Sequence, residues 1–514
     1  MIRNLFPLRF FVLGMPLLAS QLFDTYRAND FLVNALEIPT HSLVKPPHPL
    51  SSSNDRILVA LKPYLGRTLL EDDRSIDLEL VSGGRKLILT DQSGLVHKSA
   101  NITIGWKKVF LSSSKQFSRQ VIGPFASFES AQTVLHFLDK QGVKSKVAHP
   151  LDWEVWVPDG IKLPEKIKSK NFTEKIDYEI RPVLRLDASD IVLSGLLKID
   201  APDGLRWKGG LYQGPFFVKP DAYRTWTLVE EVPLEQYLLG VVPHEIGPSA
   251  PFAALASQAV LARTWALANA NRFAIDGYHL CSDTQCQVYK DPNHADIELA
   301  QAISKTSGKV LTWEGRPISA VYHATNGGVM ASANEAWAVG SVPYLKSNLD
   351  GSQRWKKQFS MPLNQRSLVK SFLAKRDGAY GNNHYLFRWR RNLSPNDLKK
   401  ALTLIKPNFG LPQKINVLKR GPSGRVLEME IIGMKRNSSI VLKLDAIRRT
   451  LKSLPSTLFI VDNQREGGWQ FLGGGFGHGS GLSQAGAIDL ALRGWSTQKI
   501  LQHYYPGTTY ESFR

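Results

Sequence analysis

The chain has 514 residues, 43% of them hydrophobic, with 64 Lys and Arg against 45 Asp and Glu, a formal net charge of +19. This length and apolar content suffice for two or three packed domains and exclude a fibrous repeat or a wholly disordered chain, while the basic balance favours anionic surroundings such as wall polymers, lipid head groups or nucleic acid. With only Cys281 and Cys286, a multiple-disulfide scaffold is excluded as well.

At the N-terminus, Phe10 to Leu18 form an apolar run behind Arg3 and Arg9 and ahead of Ala19 and Ser20, the order of a secretory signal. The run is too short for a stable spanning helix, so residues 1–20 are expected to direct export, an uncleaved N-terminal anchor being the alternative. Residues 21–55 end in "LVKPPHPLSSSND", a linker composition. From 56 to 115, β-branched and polar residues alternate between Gly-containing turns, which predicts a β-rich part.

Residues 116–160 contain "RQVIGPFASFESAQTVLHFLDKQGVKSKVAHPLDWEVWVP", expected to form a strand, a helix and two strands. Ser127 suits the helix cap, Glu129 its positive end, Ala131, Val134, Leu135 and Leu138 one apolar face, and Gly142 its stop. Residues 161–514 continue with short β-runs to Val232, a helix from Ala250 to Arg272, a second from Ile297 to Ser304, a strand-rich stretch from Ile415 to Lys443 and the glycine-rich "GGGFGHGSGLSQAGA". Short strands around a few helices predict an α+β fold, β-rich around a buried helix.

Glu245 stands just before that helix and before Ser249, its expected cap, where the helix field favours the ionised carboxylate. For Glu245 to keep a proton near neutral pH, desolvation by Val241, Val242 and Ile246 must outweigh that field. The helix is apolar nearly all round, so Gln258 and Arg263 must be hydrogen-bonded or line a wet cavity. His279, Cys281 and Cys286 offer nitrogen and sulfur ligands suited to Zn²⁺, with His294 as an alternative nitrogen; a disulfide and free thiols are the rival states. In the glycine-rich loop His478, Ser480, Ser483 and Gln484 can offer hydrogen bonds to a ligand, or the loop is a packing turn. His323 and Asn326 of "YHATNGG" are binding candidates, and Tyr289 and Trp337 offer aromatic faces on which a ligand can stack.

The stretch "EVPLEQYLLGVVPHEIGPSAPFAALASQAVLARTWAL" resembles the core motif of the SpoIID family, the stage II sporulation protein D and amidase-enhancer group. Four further segments follow in the family's order: "HLCSDTQCQVYKD", "VYHATNGGVMASANEAW", "GPSGRVLEMEIIG" and "GGGFGHGSGLSQAGA". In that family the motif is a strand leading to a Glu and then a helix. The resemblance implies a lytic transglycosylase that cuts peptidoglycan glycan between N-acetylmuramic acid and N-acetylglucosamine, with Glu245 as its one acid and base. It also implies zinc in the cysteine loop, although Gln285 stands where relatives often carry His. The stretch around "GPFASFESAQ" resembles a SPOR-type glycan-binding repeat, which implies a preference for peptide-stripped strands. Amidase enhancers share the motifs, so a wall-binding regulator that stimulates a cell-wall amidase is the second expectation. Nucleic acid is not an expected partner, because Lys and Arg are dispersed rather than gathered on one face.

Overall fold

A computed structural model describes residues 38, 40, 44–186, 189–434, 438–464 and 467–513. The expected leader at 1–20, and the expected linker up to residue 37, lie outside the described residues. Among the described residues no helix is long and apolar enough to cross a membrane.

The architecture is α+β, as the strand and helix patterns predict. A seven-stranded sheet carries, in order, Leu280–Cys281, Arg56–Leu65, Trp226–Pro233, Phe216–Pro220, Leu197–Asp200, Leu87–Thr90 and Val96–Ser99. Arg56 pairs with Pro233 and Ala60 with Val229, so the expected N-terminal β-rich part is one sheet with strands from beyond residue 161. The long strand Asn101–Phe125 runs beside Lys170–Leu186 from Thr103↔Arg185 to Val121↔Lys170. The boundary expected between residues 115 and 116 therefore falls inside one continuous strand.

The helix Phe252–Ala268 shares one core with residues of the seven-stranded sheet such as Ile57, Val59 and Leu228. Every residue from Ala254 to Ala266 is buried, including Gln258 and Arg263. It packs on the helices Leu234–Ile246, Ile297–Lys305, Gln484–Leu492 and Thr497–Tyr504 and on the strand Lys309–Trp313. Small side chains at most positions let five neighbours approach one helix closely, which an amphipathic surface helix does not need.

The segment Arg119–Pro158 folds as its sequence predicts. After the long strand come the helix Phe128–Lys140 and the strands Lys146–Ala148 and Trp153–Pro158, and the Ser127 side chain caps the helix by accepting from Ser130 N. Its apolar face does not close on itself. Phe128, Ala131, Leu138, Trp153 and Val155 share one core with Ala60, Val229, Phe273 and Tyr278, so the segment is built into the body. A further core, including Leu398, Leu402, Met429, Ile431, Phe459 and Phe471, organises the later region.

Candidate functional site

The strand Trp226–Pro233 runs directly into the helix Leu234–Ile246, a helix that the sequence reading did not assign. Glu245 thus lies in the last turn of one helix rather than at the start of the next, whose cap position is Pro251 and not Ser249. The sign of the nearest helix field is reversed by this correction, because carbonyls at a C-terminus disfavour a carboxylate. Gly247, at φ +89°, ends the helix.

Burial raises the Glu245 pKa, opposed by hydrogen bonds from the Val288 backbone and the Tyr322 side chain. Val288 N donates to Glu245 Oε1 at 2.9 Å. Gln287 Nε2 donates to the Tyr322 hydroxyl at 2.9 Å, and the Tyr237 hydroxyl donates to Gln287 Oε1 at 3.2 Å. With its oxygen already accepting, Tyr322 has its own proton free for Glu245. None of Tyr322, Gln287 and Val288 was singled out from sequence. Their roles depend on a loop returning to a helix, and no residue spacing announces that.

Glu245 opens on a groove of about 440 Å³. One wall is the loop Thr284–Cys286 with Val288; another is the turn Ala126–Glu129 of the segment described above. Trp337 and His478 line it too, as do Asp445 and Arg449 from the later region. Arg272 is buried beneath, within 3.2 Å of Glu129 and facing the rings of Phe128, Trp153 and Trp265. Arg449 donates to the Ala126 carbonyl and lies 3.7 Å from Asp152, tying the later region to the turn. Burial raises the pKa of Asp445, whose carboxylate is 3.3 Å from Arg448. A larger cavity, about 830 Å³, lies beside Phe117, Lys219 and Trp226 and holds none of the candidate residues.

His478 is fixed by its neighbours. Its Nε2 faces the Tyr322 carbonyl at 2.9 Å and its Nδ1 accepts from Ser480 N at 3.2 Å, which assigns the proton to Nε2. Burial and the nearby Arg448 push its pKa down to about 3, so the ring is neutral. Its centroid is 4.8 Å from that of Trp337. The glycine-rich loop packs as well as lines: a Cβ on Gly479 would stand 2.0 Å from Arg425 Nη2, and one on Gly477 would stand 2.6 Å from His323 Cβ. Parallel pairing of Tyr322 with Leu482 and His323 with Ser483 brings the two motifs together.

Of the other expected substrate contacts, the structure places several in the interior. Arg263 Nε and Nη2 donate to the two Glu235 carboxylate oxygens at 2.6 and 2.7 Å, and Nη1 donates to Lys309 O at 3.0 Å. Gln258 Oε1 accepts from Gln484 Nε2 at 3.3 Å, both side chains being buried. The Tyr289 hydroxyl donates to Glu230 at 2.9 Å, and Asn326 Nδ2 to Asp350 at 2.6 Å. His323 is buried, with Nδ1 3.1 Å from the Ser480 carbonyl, and Ser480 is buried below the groove. None of these side chains is part of the groove lining, whereas Glu245, His478 and Trp337 are.

Cys281 and Cys286 form a disulfide. His279 Nδ1 accepts from Leu58 N at 2.8 Å and Nε2 bonds the His48 carbonyl at 2.7 Å, so both ring nitrogens are engaged away from the sulfurs. In this state His279, Cys281 and Cys286 do not fit a zinc ion, and among the described residues no cluster of three His, Cys, Asp or Glu side chains could hold one. The His294 side chain lies outside the described residues.

Comparison with known proteins follows the same segments. The profile of a family described as stage II sporulation protein matches residues 222–313, and that of a domain of unknown function matches residues 331–481. Stage II sporulation protein D of Bacillus amyloliquefaciens is 31% identical over 308 residues, which cover 56% of this chain and 78% of that protein. An uncharacterized protein of Brachyspira hyodysenteriae is 28% identical over 337 residues, 64% of this chain and 80% of that protein. The amidase enhancer of Bacillus subtilis is 28% identical over 302 residues, 54% of this chain but 40% of that longer protein.

Proposed function

Because the chain belongs to the stage II sporulation protein D family, we propose that it is a lytic transglycosylase that acts on peptidoglycan glycan strands with Glu245 as its single acid and base. The observation that carries the reading is the Glu245 carboxyl group, on a groove wall, with burial favouring its protonated form and with Val288 and Tyr322 fixing its direction. Protonated Glu245 gives its proton to the glycosidic oxygen as the bond to the muramoyl C1 breaks and positive charge develops on the sugar ring. The resulting carboxylate, supported by the Val288 N–H and the Tyr322 hydroxyl, takes the proton of the muramoyl C6 hydroxyl. That oxygen closes onto C1, giving a 1,6-anhydro ring without water. Trp337 offers a face for sugar stacking and neutral His478 lies beside it.

The preferred strands are peptide-stripped. The SPOR-like segment supports this by supplying the Ala126–Glu129 wall of the groove. Residues 1–20 direct the protein to the periplasm or cell wall, and the Cys281–Cys286 bond fits such an oxidising compartment.

A wall-binding regulator of a cell-wall amidase is the second reading, favoured by the likeness to the amidase enhancer. Mass spectrometry of products from peptide-free glycan strands, incubated with the protein and with its Glu245→Gln variant, separates the two. Anhydromuramoyl products from the unaltered protein alone support the enzyme reading. Glycan binding without products from either protein supports the regulator.

A further inference from the structure

We propose that the Cys281–Cys286 disulfide is a positioning device for Glu245: it splints the loop that presses Val288 and Gln287 against the acid, and its reduction disengages the acid while leaving the fold in place. The inference rests on the transglycosylase reading for its catalytic consequence, though not for its structural one.

Cys281 is anchored before the loop begins, since its short strand pairs in parallel with Arg56–Leu65 through Ala60. The far end is anchored as well, by Lys290 N donating to Gly240 O at 3.0 Å and by the Tyr289 hydroxyl on Glu230 at 2.9 Å. Between these anchors lie Asp283 and Thr284, exposed at the loop tip, and then Cys286, Gln287 and Val288. The sulfur bridge draws the chain back at Cys286, one residue before Gln287 reaches Tyr322 and two before Val288 reaches Glu245. Apart from the sulfur bridge, the loop is held inside by Cys286 N on Asp283 O at 3.0 Å, Gln285 N on Asp283 Oδ1 at 2.9 Å and Tyr289 N on Ser282 O at 3.1 Å. Removing the bridge therefore loosens residues 282–288 while the sheet and the helix Leu234–Ile246 keep their own contacts. Cys281 is buried, but Cys286 is partly exposed and lines the groove, so a small dithiol has access from that side.

In the reduction, a dithiol supplies two electrons and two protons. The protein S–S bond breaks to two thiols and the reagent becomes a cyclic disulfide. Loss of the Val288 and Gln287 contacts leaves the carboxyl free to turn from its productive direction, which lowers turnover more than substrate binding.

The test uses the full chain, oxidised and dithiothreitol-reduced, and the Cys281→Ser/Cys286→Ser double variant. Hydrogen exchange at the Val288 amide is expected to speed up by about tenfold or more on reduction. With peptide-free glycan, kcat is expected to fall by about tenfold or more with KM little changed. Reoxidation restores both, and the double variant behaves like the reduced protein in either condition. Val288 exchange that ignores reduction overturns the proposal, as does a reduced protein that takes up one equivalent of zinc and regains full turnover with it. If exchange responds but neither state cleaves glycan, the splint stands and the transglycosylase reading falls.

Discussion

The backbone N–H of Val288 donates to Oε1 of Glu245 at 2.9 Å, so a loop and a helix end 43 residues apart in sequence meet at the acid. The Tyr322 hydroxyl adds a second bond that favours the charged form. In Tyr322→Phe that bond is lost and the Glu245 pKa rises further. In the proposed transglycosylase reaction protonated Glu245 is the acid form, so the alkaline limb of the pH dependence of kcat/KM is expected to move to higher pH. An unmoved limb would show that Tyr322 does not act on the acid.

Arg263 is spent on Glu235 and Lys309, not on substrate. Its side chain is 1% exposed while Glu235 keeps 32% of its surface in water, so Arg263→Ala leaves a carboxylate that can still be hydrated. The expected loss is about 3 kcal/mol of stability, at the low end for a broken buried pair. Urea unfolding measures it, and glycan affinity of the folded fraction should stay unchanged.

Glu230 is buried among Gln213 N, Gly214 N and the Tyr289 hydroxyl, and burial pushes its pKa up to about 7. A folded carboxyl with a raised pKa holds its proton more tightly than the unfolded one, so its contribution is fully present below the ordinary carboxylate range and is lost as pH rises through about 7. The difference amounts to about 3 kcal/mol. Stability measured across that window should fall with pH in the unaltered protein and remain flatter in Glu230→Gln.

Gly240 has no room for a side chain. A Cβ there would stand 2.3 Å from Lys290 O and 2.5 Å from the Tyr289 ring, where the loop crosses the helix. Gly240→Ala is expected to destabilise the protein by about 1–3 kcal/mol, seen as a lower Tm, and to lower turnover by displacing Val288.

The helix Phe252–Ala268 was readable because few other structures bury so long a run of small apolar residues, and the strand-helix-strand-strand order of 119–158 was readable from its cap and periodicity. The helix Leu234–Ile246 was not. Gly240, Val241, Val242 and Pro243 oppose helix formation locally, and packing against Phe252–Ala268 and the 3₁₀ turn Pro292–His294 overrides them. The same kind of limit hid the partners of Gln258 and Arg263. Sequence shows that a buried polar group needs a partner, but Glu235 and Gln484 become partners only once the chain is folded.

The contact between Arg449 and the Ala126 carbonyl joins positions 323 residues apart, and the groove between them also needs Glu245, Trp337 and His478. A chain emerging from its N-terminus therefore carries no assembled groove until almost its whole length has been delivered. A truncated chain that ends before residue 449 lacks both Arg449 and His478 from the groove lining.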